Sequence, residues 1–263
     1  MSLAPDSADA VVLARGLTKK YGERTVVCGI DLTIPRGGCF GLLGPNGAGK
    51  TTTLRMILGQ APMSGGTLSV LGLPMPAAIR QIHARTGVVP QSDNQDPDFT
   101  VVENLRMYAR YFGLRPAEVA GRIDELLGFL ELADRRDARM RELSGGMKRR
   151  LSIARALIND PEFIMLDEPT TGLDPQVRHL IWTRLRKLKA SGKTLLLTTH
   201  YMDEAELLCD RVAVMDAGQI IALDTPKALI KSLLKKGFKK PQVVEQANLE
   251  DVFIDLTGKD LRD

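Results

Sequence analysis

The chain has 263 residues, 44% hydrophobic and 26% charged, an ordinary mix for a folded globular protein. Lys and Arg number 36 against 32 Asp and Glu, and the resulting +4 is too mild to argue for a nucleic-acid partner. Apolar runs such as Val11–Ala14, Phe163–Leu166 and Leu195–Leu197 fall far short of the roughly 18–20 residues that cross a bilayer. MSLAPDSADA also lacks the basic-then-apolar order of a signal peptide, so the chain is expected neither to span a membrane nor to be secreted unaided.

Residues 1–10 read as disordered. Short β-type runs follow at Val11–Leu17 and Asp31–Ile34, and then at Gly38–Leu43, which ends abruptly in GPNGAGKTT before an apolar helix over Thr51–Leu58. Cys28, Cys39 and Cys209 have neither CxxC nor zinc spacing and read as small buried hydrophobes in a reducing cytoplasm. Gly66–Gly72 and Thr86–Pro90 read as further strands.

From Val101 to about Arg141 strand signals vanish. Val119, Ile123, Leu126, Leu127 and Leu130 fall at helical spacing, and Pro116 sits where a helix would begin, so an inserted helical subdomain is predicted. Strands return at Phe163–Leu166 and Thr194–Thr199. Both are nearly all apolar, as in a parallel sheet buried on both faces. Arg211–Met215 and Gln219–Leu223 flank Asp216-Ala217-Gly218 as a hairpin. From Lys227 the tail carries Lys231, Lys235, Lys236, Lys239 and Lys240, read as a solvated basic helix end in preference to a weak membrane-surface contact.

Three stretches carry chemistry. Gly44, Pro45, Asn46, Gly47, Ala48, Gly49, Lys50 and Thr51 satisfy GxxxxGK[ST], followed by Thr52. The glycines let backbone N–H groups turn inward around phosphate oxygens, Lys50 supplies a point charge for the β- and γ-phosphates, and Thr51 offers a hydroxyl to Mg²⁺. Phe163–Leu166 then delivers Asp167 and Glu168 to a strand end, where ligands of parallel α/β sheets bind. Asp167 suits Mg²⁺ through water, and Glu168 suits the orientation and deprotonation of an attacking water. Alone, two such acids would be turn caps; beside a phosphate loop the nucleotide reading is favoured.

Ser144 is a good N-cap, and Gly145 and Gly146 leave helix-start N–H groups uncovered, which makes a second anion site. One phosphate loop does not need two cradles within one fold. A head-to-tail homodimer resolves this, each site combining one chain's loop with the other's LSGG.

In this order the motifs resemble the nucleotide-binding subunit of an ATP-binding cassette (ABC) transporter over nearly the whole chain. That resemblance implies an α/β fold: a P-loop NTPase RecA-like core with a mainly parallel sheet, an antiparallel β-subdomain and an inserted helical subdomain. It implies ATP as ligand with Mg²⁺. By the same resemblance, Tyr21 matches the aromatic that stacks on adenine. Gln91 matches the residue that senses Mg²⁺ and the nucleophilic water while touching the transmembrane partner. Asp174 matches the loop that signals across the dimer, and His200 the switch histidine on the γ-phosphate. Individually each has a plainer structural reading, Asp174 as a helix cap before Pro175 among them. Lys50, Ser144 and His200 are expected to stabilise charge on the transferred phosphoryl group.

The implied domain boundaries are 11–230 for the nucleotide-binding domain, with its helical part at about 101–160, and 231–263 for a short tail. GVVPQSDN, LSGGMKRRLSIARALINDP, DEPTTGLDP and TTHYMDEAELLCDR are most similar to the type-2 exporter branch, and within it to lipo-oligosaccharide (nodulation-factor) exporter ATPases. Leu249–Gly258 looks like that branch's C-terminal end, whereas the stretch between about Leu229 and Asn248 is shorter than usual. The implied assembly is a polytopic permease served by two such chains, peripheral on the cytoplasmic face of the inner membrane. The alternatives are a soluble ABC ATPase of translation or DNA maintenance, and a small-molecule kinase that leaves LSGGM and His200 unexplained.

Overall fold

The computed structural model describes residues 9–92 and 94–238. The chain opens with a long hairpin, β1 (Ala10–Tyr21) and β2 (Arg24–Pro35), before β3 (Gly38–Leu43) runs into α1 (Lys50–Ile57). Next come β4 (Gly65–Val70), β5 (Leu73–Pro74), α2 (Ile79–Ala84) and β6 (Thr86–Val89). Three helices then follow: α3 (Val101–Tyr111), α4 (Pro116–Phe129) and α5 (Gly145–Ala156). The remaining elements are β7 (Phe163–Asp167), α6 (Pro175–Ala190), β8 (Thr194–Thr199), α7 (Met202–Leu208), the pair β9 (Arg211–Asp216) and β10 (Gln219–Asp224), and α8 (Pro226–Lys235).

The strands form two sheets. One is antiparallel, in the order β2-β1-β4-β5. The other has the order β10-β9-β3-β8-β7-β6, parallel throughout except for the β9–β10 hairpin. β3 sits between β8 and β9, so Leu43 at its carboxyl end lies opposite both Thr199 and Val214. Strand side chains alternate faces, and β3, β7 and β8 feed two separate cores. Leu43, Ile164, Leu166, Leu195 and Leu197 pack on the side of α3–α6. Phe40, Leu42, Phe163, Met165 and Leu196 pack on the side of α1 and the antiparallel sheet. Both faces being covered explains why these strands read as unbroken apolar runs.

The helical segment is built from local signals. Thr100 and Glu103 form a reciprocal capping box at the start of α3, with Thr100 N–H donating to Glu103 Oε2 at 2.8 Å and Glu103 N–H to Thr100 Oγ1 at 3.3 Å. Pro116 occupies the first turn of α4, and Val119, Ile123, Leu126, Leu127 and Leu130 are all buried, as their spacing predicts. Ser144 caps α5, its Oγ accepting from Met147 N–H at 3.3 Å.

Four sequence expectations change. Ala10 belongs to β1 and is buried, so the expected disorder does not reach it; residues 1–8 lie outside the described residues. β1 and β2 run well beyond Val11–Leu17 and Asp31–Ile34, because register shifts between Ala14 and Leu17 and at later positions let the hairpin continue past breaks in its apolar alternation. β4 stops at Val70, and Leu71 and Gly72 turn with positive φ. Cys39 and Cys209 are buried with sulfurs 3.7 Å apart, but Cys28 is only half-buried.

Packing divides the chain after Leu229. In the part beyond it, the described residues carry exposed Ile230, Leu233, Leu234 and Phe238 beside Lys231, Lys235 and Lys236. Lys239, Lys240 and Leu249–Gly258 lie outside the described residues. No helix among the described residues is long and apolar enough to cross a membrane.

Candidate nucleotide site

The loop between β3 and α1 requires its glycines. A Cβ on Gly44, at φ 154°, would fall 2.1 Å from the Met215 carbonyl oxygen of β9. Gly49, at φ 105°, stands at the helix start, where a Cβ would meet the Val26 carbonyl oxygen at 2.9 Å. Gly218 N–H donates to Ala48 O at 3.1 Å, tying the β9–β10 turn to the loop. Lys50 is 5% exposed, and its Nζ donates to Gly44 O at 2.7 Å and Pro45 O at 3.1 Å, which places the ammonium over the loop.

At the carboxyl ends of the neighbouring strands the expected side chains converge. Thr51 Oγ1 lies 3.4 Å from Asp167 Oδ1. Glu168 Oε2 accepts from Gln91 Nε2 at 3.4 Å and Thr171 Oγ1 at 3.2 Å, while Glu168 Oε1 lies 3.5 Å from His200 Nδ1. Glu168 is itself backbone-strained, at φ 48° without being glycine, and Thr198 O and Oγ1 both accept from its N–H at 3.1 Å. A cavity of about 410 Å³ is lined by Asn46, Gly47, Gly49, Lys50, Thr51, Thr52, Gln91 and Glu168, together with Arg24 and Val26 of β2. The donors fit a nucleotide with a hard cation: backbone N–H groups and an ammonium on one side, hydroxyl, amide and carboxylate oxygens on the other.

Other expected residues stand apart from that cavity. Ser144, Gly145 and Gly146 are not among its lining residues. Gly145 has open space where a Cβ would be, whereas a Cβ on Gly146 would meet Val177 of α6. Asp174 caps α6, its Oδ1 accepting from Val177 N–H at 3.0 Å, so within one chain it takes the plainer of its two readings. Tyr21 ends β1, 49% exposed, with Lys19 Nζ 4.7 Å from its ring centre.

Sequence reasoning missed Arg24, Val26, Thr198 and Thr171. Thr198 Oγ1 donates to Asp167 Oδ1 at 2.5 Å, so it grips both adjacent acids. Its signal was available in part: it lies two residues before His200 on a predicted strand, but only the pairing of β7 with β8 sets it opposite Asp167. Arg24 had none, since only the hairpin register, with Tyr21 opposite Arg24, brings it to the loop.

A groove continues from the site. Thr51, Pro90, Gln91, Ser92, Asn94 and Asp167 line a cavity of about 320 Å³, and a neighbouring one of about 340 Å³ shares Pro90 and Asn94 and extends to Tyr108, Tyr111, Phe112 and Arg155 of the helical segment. Tyr111 is 78% exposed.

The ABC transporter family matches residues 27–171. A Nod factor export ATP-binding protein I from Cupriavidus metallidurans is 57% identical over 223 residues, covering 85% of this chain and 74% of the relative. A protein of the same name from Mesorhizobium japonicum is 45% identical, covering 100% of this chain and 91% of the relative. Among solved structures, cbiO1 from Clostridium perfringens, part of an ABC transporter complex, superposes with TM-score 0.78 at 29% identity, covering 87% of this chain and 94% of that one. A dimeric ATP-binding cassette in a post-hydrolysis state with ADP and Pi gives TM-score 0.74 at 28% identity, covering 82% and 98%. With a phosphate loop, an acidic strand end and a capped LSGG helix on a shared fold, this chain belongs to the ABC transporter family as an ATP-binding, ATP-hydrolysing subunit.

Proposed function

We propose that two copies of this chain close head to tail over two ATP molecules and drive export through a polytopic permease. The observation that carries the reading is the clamp on Glu168. One carboxylate oxygen is held by Gln91 and Thr171, the other faces His200, and the group borders the cavity lined by Lys50 and Thr51. In this reading Glu168 orients a water and takes its proton as the water oxygen attacks the γ-phosphorus and the bond to the ADP oxygen breaks. Lys50, His200 and the partner's LSGG helix stabilise the charge on the transferred group. Thr51, Asp167 and Gln91 are the residues that would hold Mg²⁺, which when bound neutralises phosphate charge. Tyr21 supplies an aromatic face for adenine, and Asp174 the contact between copies.

Export rests on the relatives, which are Nod factor export ATP-binding proteins. The proposed cargo class is a lipid, oligosaccharide or drug-like molecule. The groove from Gln91 to exposed Tyr111 suits a permease segment, which would hold the chain at the cytoplasmic face of the inner membrane. E168Q tests the core of the proposal: it is expected to bind ATP, hydrolyse at least 100-fold more slowly and elute as an ATP-stabilised dimer. Turnover at the wild-type rate overturns the assignment. Recovery of a polytopic membrane protein by pull-down from native membranes supports transport, and recovery of ribosomes or DNA instead overturns it.

A further inference from the structure

Arg149 lies in the middle of a basic triplet, Lys148-Arg149-Arg150, on α5, yet it is 5% exposed. Its guanidinium points at the carboxyl ends of β6 and β7. Nε donates to Pro169 O at 2.7 Å, Nη2 to Asp167 O at 3.0 Å and Glu168 O at 2.9 Å, and Nη1 to Pro90 O at 2.5 Å and Gln91 O at 3.5 Å. Five N–H groups in a rigid planar fork thus meet five carbonyls from two separate loops. Those loops carry Gln91, Asp167 and Glu168, the side chains that converge at the nucleotide site. Three further residues of α5 hold the same glutamine-bearing loop: Gln95 Nε2 donates to Lys148 O at 3.0 Å and to Ser152 Oγ, and Arg155 Nη1 donates to Asn94 O at 2.9 Å.

We infer that Arg149 is a positioning residue: by binding the backbones of Gln91 and Glu168 through one rigid group, it fixes the water-activating carboxylate relative to the glutamine beside it and to the LSGG helix. Glu168 adopts a left-handed backbone that a non-glycine residue holds only under constraint, and Arg149 binds three consecutive carbonyls there, those of Asp167, Glu168 and Pro169. A movement of α5 is therefore transmitted to the carboxylate, not absorbed by a loose loop. A lysine cannot reproduce this, because its three donors radiate from one point.

The inference rests on Glu168 being the base, so E168Q is run alongside. R149M and R149K are made in the full chain, with ATP affinity, steady-state hydrolysis and thermal unfolding measured for each. The expected result is a kcat at least tenfold lower in R149M with ATP Kd within threefold of wild type, and partial recovery in R149K. Folded R149M or R149K with wild-type kcat overturns the inference, as does a loss of ATP affinity that matches the loss of kcat. If R149M does not fold, R149K alone decides; if neither folds, Arg149 is structural and the inference fails. An active E168Q would sink the reading of the base, whereas an inactive E168Q beside an active R149M sinks only the role of Arg149.

Discussion

Gly146 lies against Val177 so closely that a Cβ on the glycine would stand 2.9 Å from Val177 Cγ2 and 3.0 Å from Cγ1. The contact joins the start of the LSGG helix to the start of α6, whose cap is Asp174. Valine in a helix has essentially one rotamer and cannot swing away. G146A is expected to cost about 1–3 kcal/mol by overpacking, and V177A in the same chain is expected to restore most of it. Urea unfolding of the single and double variants checks this; a G146A protein as stable as wild type, or one that V177A does not rescue, would refute the steric account. G145A makes a contrast. With open space around it, its stability should stay within about 0.5 kcal/mol of wild type, while ATP hydrolysis falls if this glycine faces a partner's nucleotide.

Thr198 links the two acids of the site. Its hydroxyl donates to Asp167 Oδ1 and accepts from Glu168 N–H, and the residue is fully buried. T198V keeps the shape and removes the hydroxyl. The Glu168 N–H keeps the Thr198 backbone carbonyl, so the expected loss of stability is about 1–3 kcal/mol, the cost of leaving buried polar groups under-satisfied. Hydrolysis is expected to fall further than ATP binding. Equal losses in a binding assay and a turnover assay would show that Thr198 only supports the fold.

Glu162 just before β7 anchors an ion cluster away from the site. Arg85 grips it with Nε at 2.7 Å and Nη2 at 2.9 Å, and Arg36 adds a contact at 3.0 Å. The hydrogen bonds from Arg85 do most to hold the Glu162 carboxyl below its ordinary range, against the opposing effect of burial, with the charge of Arg85 and the hydrogen bond and charge of Arg36 adding to them. A carboxyl with a lowered folded pKa stabilises the protein above its unfolded value of about 4.3 and loses that contribution as pH falls through the folded value. Both side chains are well exposed, so the effect is small and salt-sensitive. R85M is expected to unfold more easily than wild type at pH 6, with the gap closing by pH 2.5. A gap independent of pH would mean that the arginine acts through packing alone.

The phosphate loop, the acidic strand end and the parallel sheet were legible because each has a local signature: glycines at fixed spacing, or an apolar run ending in carboxylates. What escaped depends on long-range pairing. The apolar run at the start of β1 ends at Leu17, before Lys19 and Lys20. Lys19 is nevertheless buried, with its Nζ on Pro62 O at 2.6 Å, a partner far along the chain. Arg149 was hidden in a run of three bases that reads as a solvated face. A helical count from Gly146 through Arg149, Ser152, Ile153 and Ala156, all buried, marks it as inward-facing once α5 is placed. Arg24 was illegible for the same reason as Lys19: a turn and a register, not its neighbours in sequence, set its position.

The sheet order has a consequence for how the protein comes into being. β3, which leads into the nucleotide loop, pairs with β8 on one side and β9 on the other. Both neighbours leave the ribosome roughly 155–170 residues after it, a separation that makes such pairings slow to form. The hairpin of β1 and β2, by contrast, closes within its own length. A nascent chain can thus hold its outer sheet early, while the strand bearing Phe40 and Leu42 waits with open edges for the last third of synthesis. The nucleotide loop inherits that delay, because Gly44 at its start packs against the Met215 carbonyl of β9.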